Sequence, residues 1–120
     1  METVIGQHNG FYFLLGRKEI VDTRLNRYRL NKKKFDIALR VVKWLRFLAF
    51  VEMVAVCNNV GYNNGTEQSD IDFFIVTTKG RLWWARFFIV TMVSLMGLRR
   101  HGKKSSDRIC LSFYTTAESL

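Results

Sequence analysis

Val51-Glu52-Met53-Val54-Ala55-Val56-Cys57 and Ser69-Asp70-Ile71-Asp72-Phe73-Phe74-Ile75-Val76-Thr77, joined through the run Asn58-Asn59-Val60-Gly61-Tyr62-Asn63-Asn64-Gly65, decide how this chain is read. The two outer segments are short, apolar and rich in β-branched residues, as buried strands are. The connector has the chemistry of a loop, because Asn and Gly adopt positive φ at low cost. Side chains alternate along a strand, so Asp70 and Asp72 share one face and Ile71 takes the other. Two carboxylates on one face repel each other unless a cation sits between them. Hard oxygen donors on a rigid strand suit Mg²⁺ or Mn²⁺ carrying a phosphate. The apolar continuation Phe73-Phe74-Ile75-Val76 anchors the pair in a core.

Upstream, Val21, Leu25, Tyr28, Phe35, Leu39, Val42 and Leu45 recur at helical spacing, which predicts a helix over 20–47 with a break allowed near Asn31. Downstream, Lys79-Gly80 ends the second strand, residues 81–98 form an almost continuous apolar helix, and 108–115 read as a third strand. The expected fold is α/β (α+β): a small mixed sheet of 51–57, 70–77 and 108–115 with two long helices packed on it. Trp83, Trp84, Phe87 and Phe88 are expected to fill much of its core, any surplus aromatic surface covering a partner or a missing segment. Gly10-Phe11-Tyr12-Phe13-Leu14-Leu15-Gly16 reads as a strand or hairpin arm without a nearby partner, pairing with something outside the chain or lying on the helix that follows.

The chain is 120 residues, one ordinary domain, with no proline, 48% hydrophobic residues and a net charge of +9. That excludes a Pro-rich linker and a disordered tail, and it favours phosphate-bearing partners. Arg17, Lys18, Arg24, Arg27, Arg29, Lys32, Lys33, Lys34, Arg40, Lys43 and Arg46 concentrate the charge on the first helix, against Glu19, Asp22 and Asp36. Cys57 and Cys110 make neither a metal-ligand spacing nor a disulfide framework, and His8 and His101 stand isolated. The start METVIGQHNG lacks the basic and apolar regions of a secretory signal. Residues 82–98 are short for a hydrocarbon core of about 30 Å and carry Arg86 one turn inside. They read as a buried helix, so a cytoplasmic protein without a membrane partner is expected.

The order of apolar strand, Asn/Gly loop, Ser69-Asp70-Ile71-Asp72 and apolar strand resembles the DNA polymerase β-like nucleotidyltransferase superfamily, closely over 51–76 and more loosely to about 116. The resemblance implies that Asp70 and Asp72 bind the metal ions, Mg²⁺ or Mn²⁺, that carry a nucleoside triphosphate. It further implies that Ser69 is the small residue before the pair, and that Asn58 and Asn59 stand where the family has its phosphate-holding Gly-Ser turn. The implied reaction transfers a nucleoside monophosphate to an acceptor hydroxyl or phosphate, the acceptor being a nucleic acid in some readings.

Active relatives carry a third carboxylate inside a later strand, where it completes the metal site. Here that strand, Arg108-Ile109-Cys110-Leu111-Ser112-Phe113-Tyr114, has none. Asp107 at its start and Glu118 beyond its end are the candidates, Asp107 the better of the two. If neither serves, the domain binds nucleotide and metal with slow or lost transfer. Residues 1–19 look like the tail of an upstream winged-helix-like region, with 20–120 as the nucleotidyltransferase-like domain, which together suggest a fragment or short version of a longer protein. The alternative function is a non-enzymatic nucleic-acid-binding module using the basic helix over 17–46.

Overall fold

The computed structural model describes residues 4–100, 102 and 106–120, so His101 lies outside the described residues. Two strands, β1 (Ile5–His8) and β2 (Phe11–Leu14), form an antiparallel hairpin in which Ile5 faces Leu14 and His8 faces Phe11. The aromatic strand therefore has a partner, contrary to its reading as a lone arm. The turn is Asn9-Gly10 with φ of 50° and 80°, the two-residue connection whose twist matches the strands it joins. The hairpin also leans on the helix that follows, with Phe11 and Tyr28 at 6.4 Å between ring centroids.

Helix α1 (Glu19–Leu45) runs 27 residues without the break allowed at Asn31. At 1.5 Å per residue it is about 40 Å long, which accounts for most of the 62 Å long axis of the molecule. Its C-terminal half buries Lys34, Ile37, Ala38, Val41 and Leu45, a single stripe at helical spacing.

The sheet holds β3 (Val51–Cys57), β4 (Ile71–Thr77) and β5 (Ile109–Thr116) in that order, β3 antiparallel and β5 parallel to β4. It is the small mixed α+β sheet expected. A single turn, α2 (Asn58–Gly61), opens the connection between β3 and β4. Helix α3 (Leu82–Leu95) supplies the crossover that parallel neighbours need. Ile71, Phe73 and Ile75 of β4, with Ile109 of β5, meet the stripe of α1 and the row Ala85, Ile89 and Val93 of α3 in one buried cluster. Both helices thus cover the same face of the sheet, leaving Asp70, Asp72 and Phe74 on the other.

The core differs from expectation in one respect. Trp83, Trp84, Phe87 and Phe88 lie on the outside of α3, with Trp83 75% exposed, while the small and branched residues of the same helix pack inward. A helix apolar all round gives no signal for which face is buried. The face that fits close to a three-stranded sheet is the one with Ala85 at its centre. No helix among the described residues is long and apolar enough to cross a membrane.

Candidate metal centre

Asp70 ends the β3–β4 loop, and Asp72 is the second residue of β4. Asp72 is the register partner of Cys57 on β3 and of Cys110 on β5, so the three lie in one row across the sheet. Ligand atoms of Asp70, Asp72 and Cys110 all fall within 4.8 Å of one another. Cys57 and Cys110 flank the row two strand spacings apart, roughly 10 Å, which is beyond the reach of a disulfide. Burial, followed by the charges of Asp72 and Cys110, pushes the Cys57 thiol above its ordinary value. That thiol donates to the Asp72 carbonyl at 3.5 Å.

Arg100 supplies positive charge to the pair, its Nη1 lying 2.6 Å from Asp70 Oδ2. Asn58 has φ 55°, the left-handed conformation that asparagine tolerates, and its Nδ2 donates to Asp72 Oδ2 at 3.0 Å. Asp70, Asp72 and Asn58 are thus brought together as the sequence suggested. Asn59 is exposed beside Asn58. The Ser69 hydroxyl turns into its own loop, accepting from the Thr66 N–H at 2.9 Å. It therefore shapes the approach to Asp70.

Two helix residues that sequence reasoning missed hold this loop. Lys34 is 1% exposed, and its Nζ donates to the Ser69 carbonyl at 2.7 Å and to Asp107 Oδ1 at 2.8 Å. It ties α1 to the residues entering β4 and to those entering β5. Asn31, fully buried, donates through Nδ2 to Asn63 Oδ1 at 2.7 Å and accepts from the Gly65 N–H at 3.0 Å. A Cβ on Gly65 would collide with Asn31 Oδ1, so only glycine permits this approach. Part of the basic helix face is thereby spent on internal contacts, since Arg24 and Arg27 also donate to Asn64.

Asp107 does not complete the acidic pair. It is held by Lys33 at 2.6 Å and Lys34 at 2.8 Å, while Glu118 pairs with Lys79 at 2.9 Å. The position beside Asp72 on β5 belongs to Cys110. The available donors are therefore two carboxylates and a thiol, a set that still accommodates Mg²⁺ or Mn²⁺ through its oxygens.

Partial burial alone would raise the Asp107 carboxyl, but hydrogen bonds from Lys33 and Lys34 outweigh it and hold the carboxyl below its ordinary value of 3.8. The folded state then binds this proton more weakly than the unfolded chain does. Its stabilising contribution is present above the ordinary value and is lost as pH falls through the folded one. The urea midpoint is expected to drop below about pH 4, and Asp107→Asn to flatten that part of the profile. An unchanged acid limb in the variant would remove Asp107 as its source.

Beside the centre, a groove of about 830 Å³ opens between α3 and β5, with Arg99, Arg100 and Cys110 at one end and Trp83, Arg86 and Phe87 along its wall. No family model matches the chain, and neither curated proteins nor solved structures give a match.

Proposed function

We propose that Asp70 and Asp72 hold Mg²⁺ or Mn²⁺ together with the phosphates of a nucleoside triphosphate, in a nucleotidyltransferase-like domain. The observation that carries this reading is the convergence of both carboxylates with Cys110, and of Arg100 on Asp70, where Cys110 and Arg100 also line the neighbouring groove. When bound, the cation supplies charge neutralisation at the phosphates. Arg99 and Arg100 flank the same end of the groove and are placed to receive phosphate oxygens. Asn58 keeps Asp72 oriented, Ser69 shapes the loop, and the exposed Asn59 is the loop residue left to meet the triphosphate. The reaction class is transfer of a nucleoside monophosphate to a hydroxyl or phosphate acceptor. With a thiol where active members of the superfamily that the sequence resembles carry a carboxylate, transfer is slow or lost, and binding is the property to measure.

Calorimetric titration of Mg·ATP and Mg·CTP is expected to show binding to the parent chain and at least about tenfold weaker binding to Asp70→Asn/Asp72→Asn. Equal affinity in the two proteins would sink the assignment. The second reading, a nucleic-acid surface on the basic helix, is favoured by Arg29, Lys32, Arg40 and Lys43, which remain exposed on α1. It requires affinity for single- or double-stranded DNA that falls steeply with salt.

A further inference from the structure

The aromatic residues of α3 form one continuous surface. Trp84 and Phe87 lie 6.3 and 5.5 Å from Phe88, and Phe88 lies 5.9 Å from Phe50 in the connection between α1 and β3. The Thr78 N–H donates to the Phe50 carbonyl at 3.0 Å, which fixes the loops before β3 and before α3 side by side at this end of the molecule. Trp44 comes to the surface at the end of α1, so the three tryptophans of the chain, Trp44, Trp83 and Trp84, are 58%, 75% and 56% exposed.

The segments that carry these rings hold charge of one sign. Lys79 is paired to Glu118 and Arg100 to Asp70, which leaves Arg81, Arg86 and Arg99, among the described residues, as the cations of α3 and its ends without a carboxylate ion pair. Residues 79–100 contain Lys79, Arg81, Arg86, Arg99 and Arg100 and no carboxylate, and 37–50 contain Arg40, Lys43 and Arg46 and no carboxylate. The Arg86 guanidinium lies 6.0 Å from the Trp83 ring centre, and that of Arg46 lies 5.1 Å from Phe47. Tryptophan and phenylalanine interleaved with arginine is the composition of a helix that lies in a membrane interface, rings at headgroup depth and guanidinium groups on phosphates. At 14 residues, α3 is about 21 Å long, enough to lie along a bilayer surface and too short to cross one.

We propose that the outer face of α3 docks on an anionic lipid bilayer. Trp83, Trp84, Phe87 and Phe88 enter the boundary between headgroups and acyl chains, and Arg81 and Arg86 pair with lipid phosphates. Trp83, Arg86 and Phe87 also line the groove beside the acidic pair, so vesicle binding is measured without nucleotide and does not rest on the nucleotide reading. The sequence expectation of no membrane partner rested on residues 82–98 being short for a span and carrying Arg86, and an interfacial helix requires no span.

The full chain is mixed with vesicles of phosphatidylcholine alone, or of equal parts phosphatidylcholine and phosphatidylglycerol, and followed by co-sedimentation and tryptophan emission. Sedimentation with the anionic vesicles, a blue shift and weakening by salt are expected, with about tenfold weaker binding for Trp83→Ser/Trp84→Ser. Arg81→Glu places a carboxylate where a helix N-terminus favours one, so it spares the fold while weakening binding to anionic vesicles. Far-UV circular dichroism and a melt confirm that each variant is folded. A chain that stays in the supernatant with unchanged emission overturns the proposal, as does undiminished vesicle binding by the folded tryptophan variant. A dimer that the tryptophan variant dissolves, without vesicle binding by the parent, assigns the face to a second copy and equally overturns it.

Discussion

Lys34→Met is expected to lower the unfolding free energy by about 3 kcal/mol, read as a lower urea midpoint at an unchanged m-value. Methionine fills nearly the same space, so the loss arises from the groups left behind. The Ser69 carbonyl and Asp107 Oδ1 each lose a charged donor at 2.7 and 2.8 Å. Both acceptors are half-shielded from water, so each loses a charged hydrogen bond that solvent replaces only in part. Lys33 is the internal comparison, because it touches the same carboxylate from an exposed position, with side-chain exposure of 67%. Lys33→Met should change stability little, since an exposed pair is screened by solvent. If the two variants are equally stable, Lys34 is not the strut described above.

Ile89→Ala is expected to cost about 3 kcal/mol, while Trp83→Ser on the same helix stays within about 0.5 kcal/mol of the parent. Size alone would rank these the other way. Ile89 has no exposed surface and belongs to the buried cluster that also holds Ile37, Val41, Phe73 and Ile75, where truncation leaves a void that the packed neighbours cannot fill. Trp83 is three-quarters exposed, and its loss removes contact with solvent. Thermal melts of the two single variants decide the point. A large loss for Trp83→Ser would place the aromatic face in the core after all.

The strands and helices were legible because their apolar runs are separated by Gly, Asn and charge. The sequence boundaries of β3 coincide with the observed ones, and those of β4, α3 and β5 fall within a few residues. What was not legible depends on partners distant in the chain. Ile5-Gly6-Gln7-His8 has one strongly apolar residue, so β1 shows no strand pattern of its own, and the Asn9-Gly10 turn was the signal that could have found it. Lys34 reads as one more charge on a basic helix until its place in the row with Ile37, Ala38 and Val41 is noticed. The Asp70 and Asp72 pair was legible from strand alternation alone. Cys110 as their third neighbour was not, because only the register of β5 against β4 brings it there.

Lys34 and Asp107 are 73 residues apart in sequence, so their contact forms only when two distant parts of the chain have come together. Closing so long a loop carries an entropy cost that local contacts do not repay. The β3–β4 hairpin can pair early, but the approach to Asp70 cannot settle until α1 and the start of β5 have both arrived. A chain cut between Phe47 and Val51 would therefore yield two pieces, one a long helix with a bare stripe and the other a sheet with one helix and half a core. The acidic pair would lie wholly in the second piece, but the loop that enters it would lack the Lys34 and Asn31 contacts until the two are recombined.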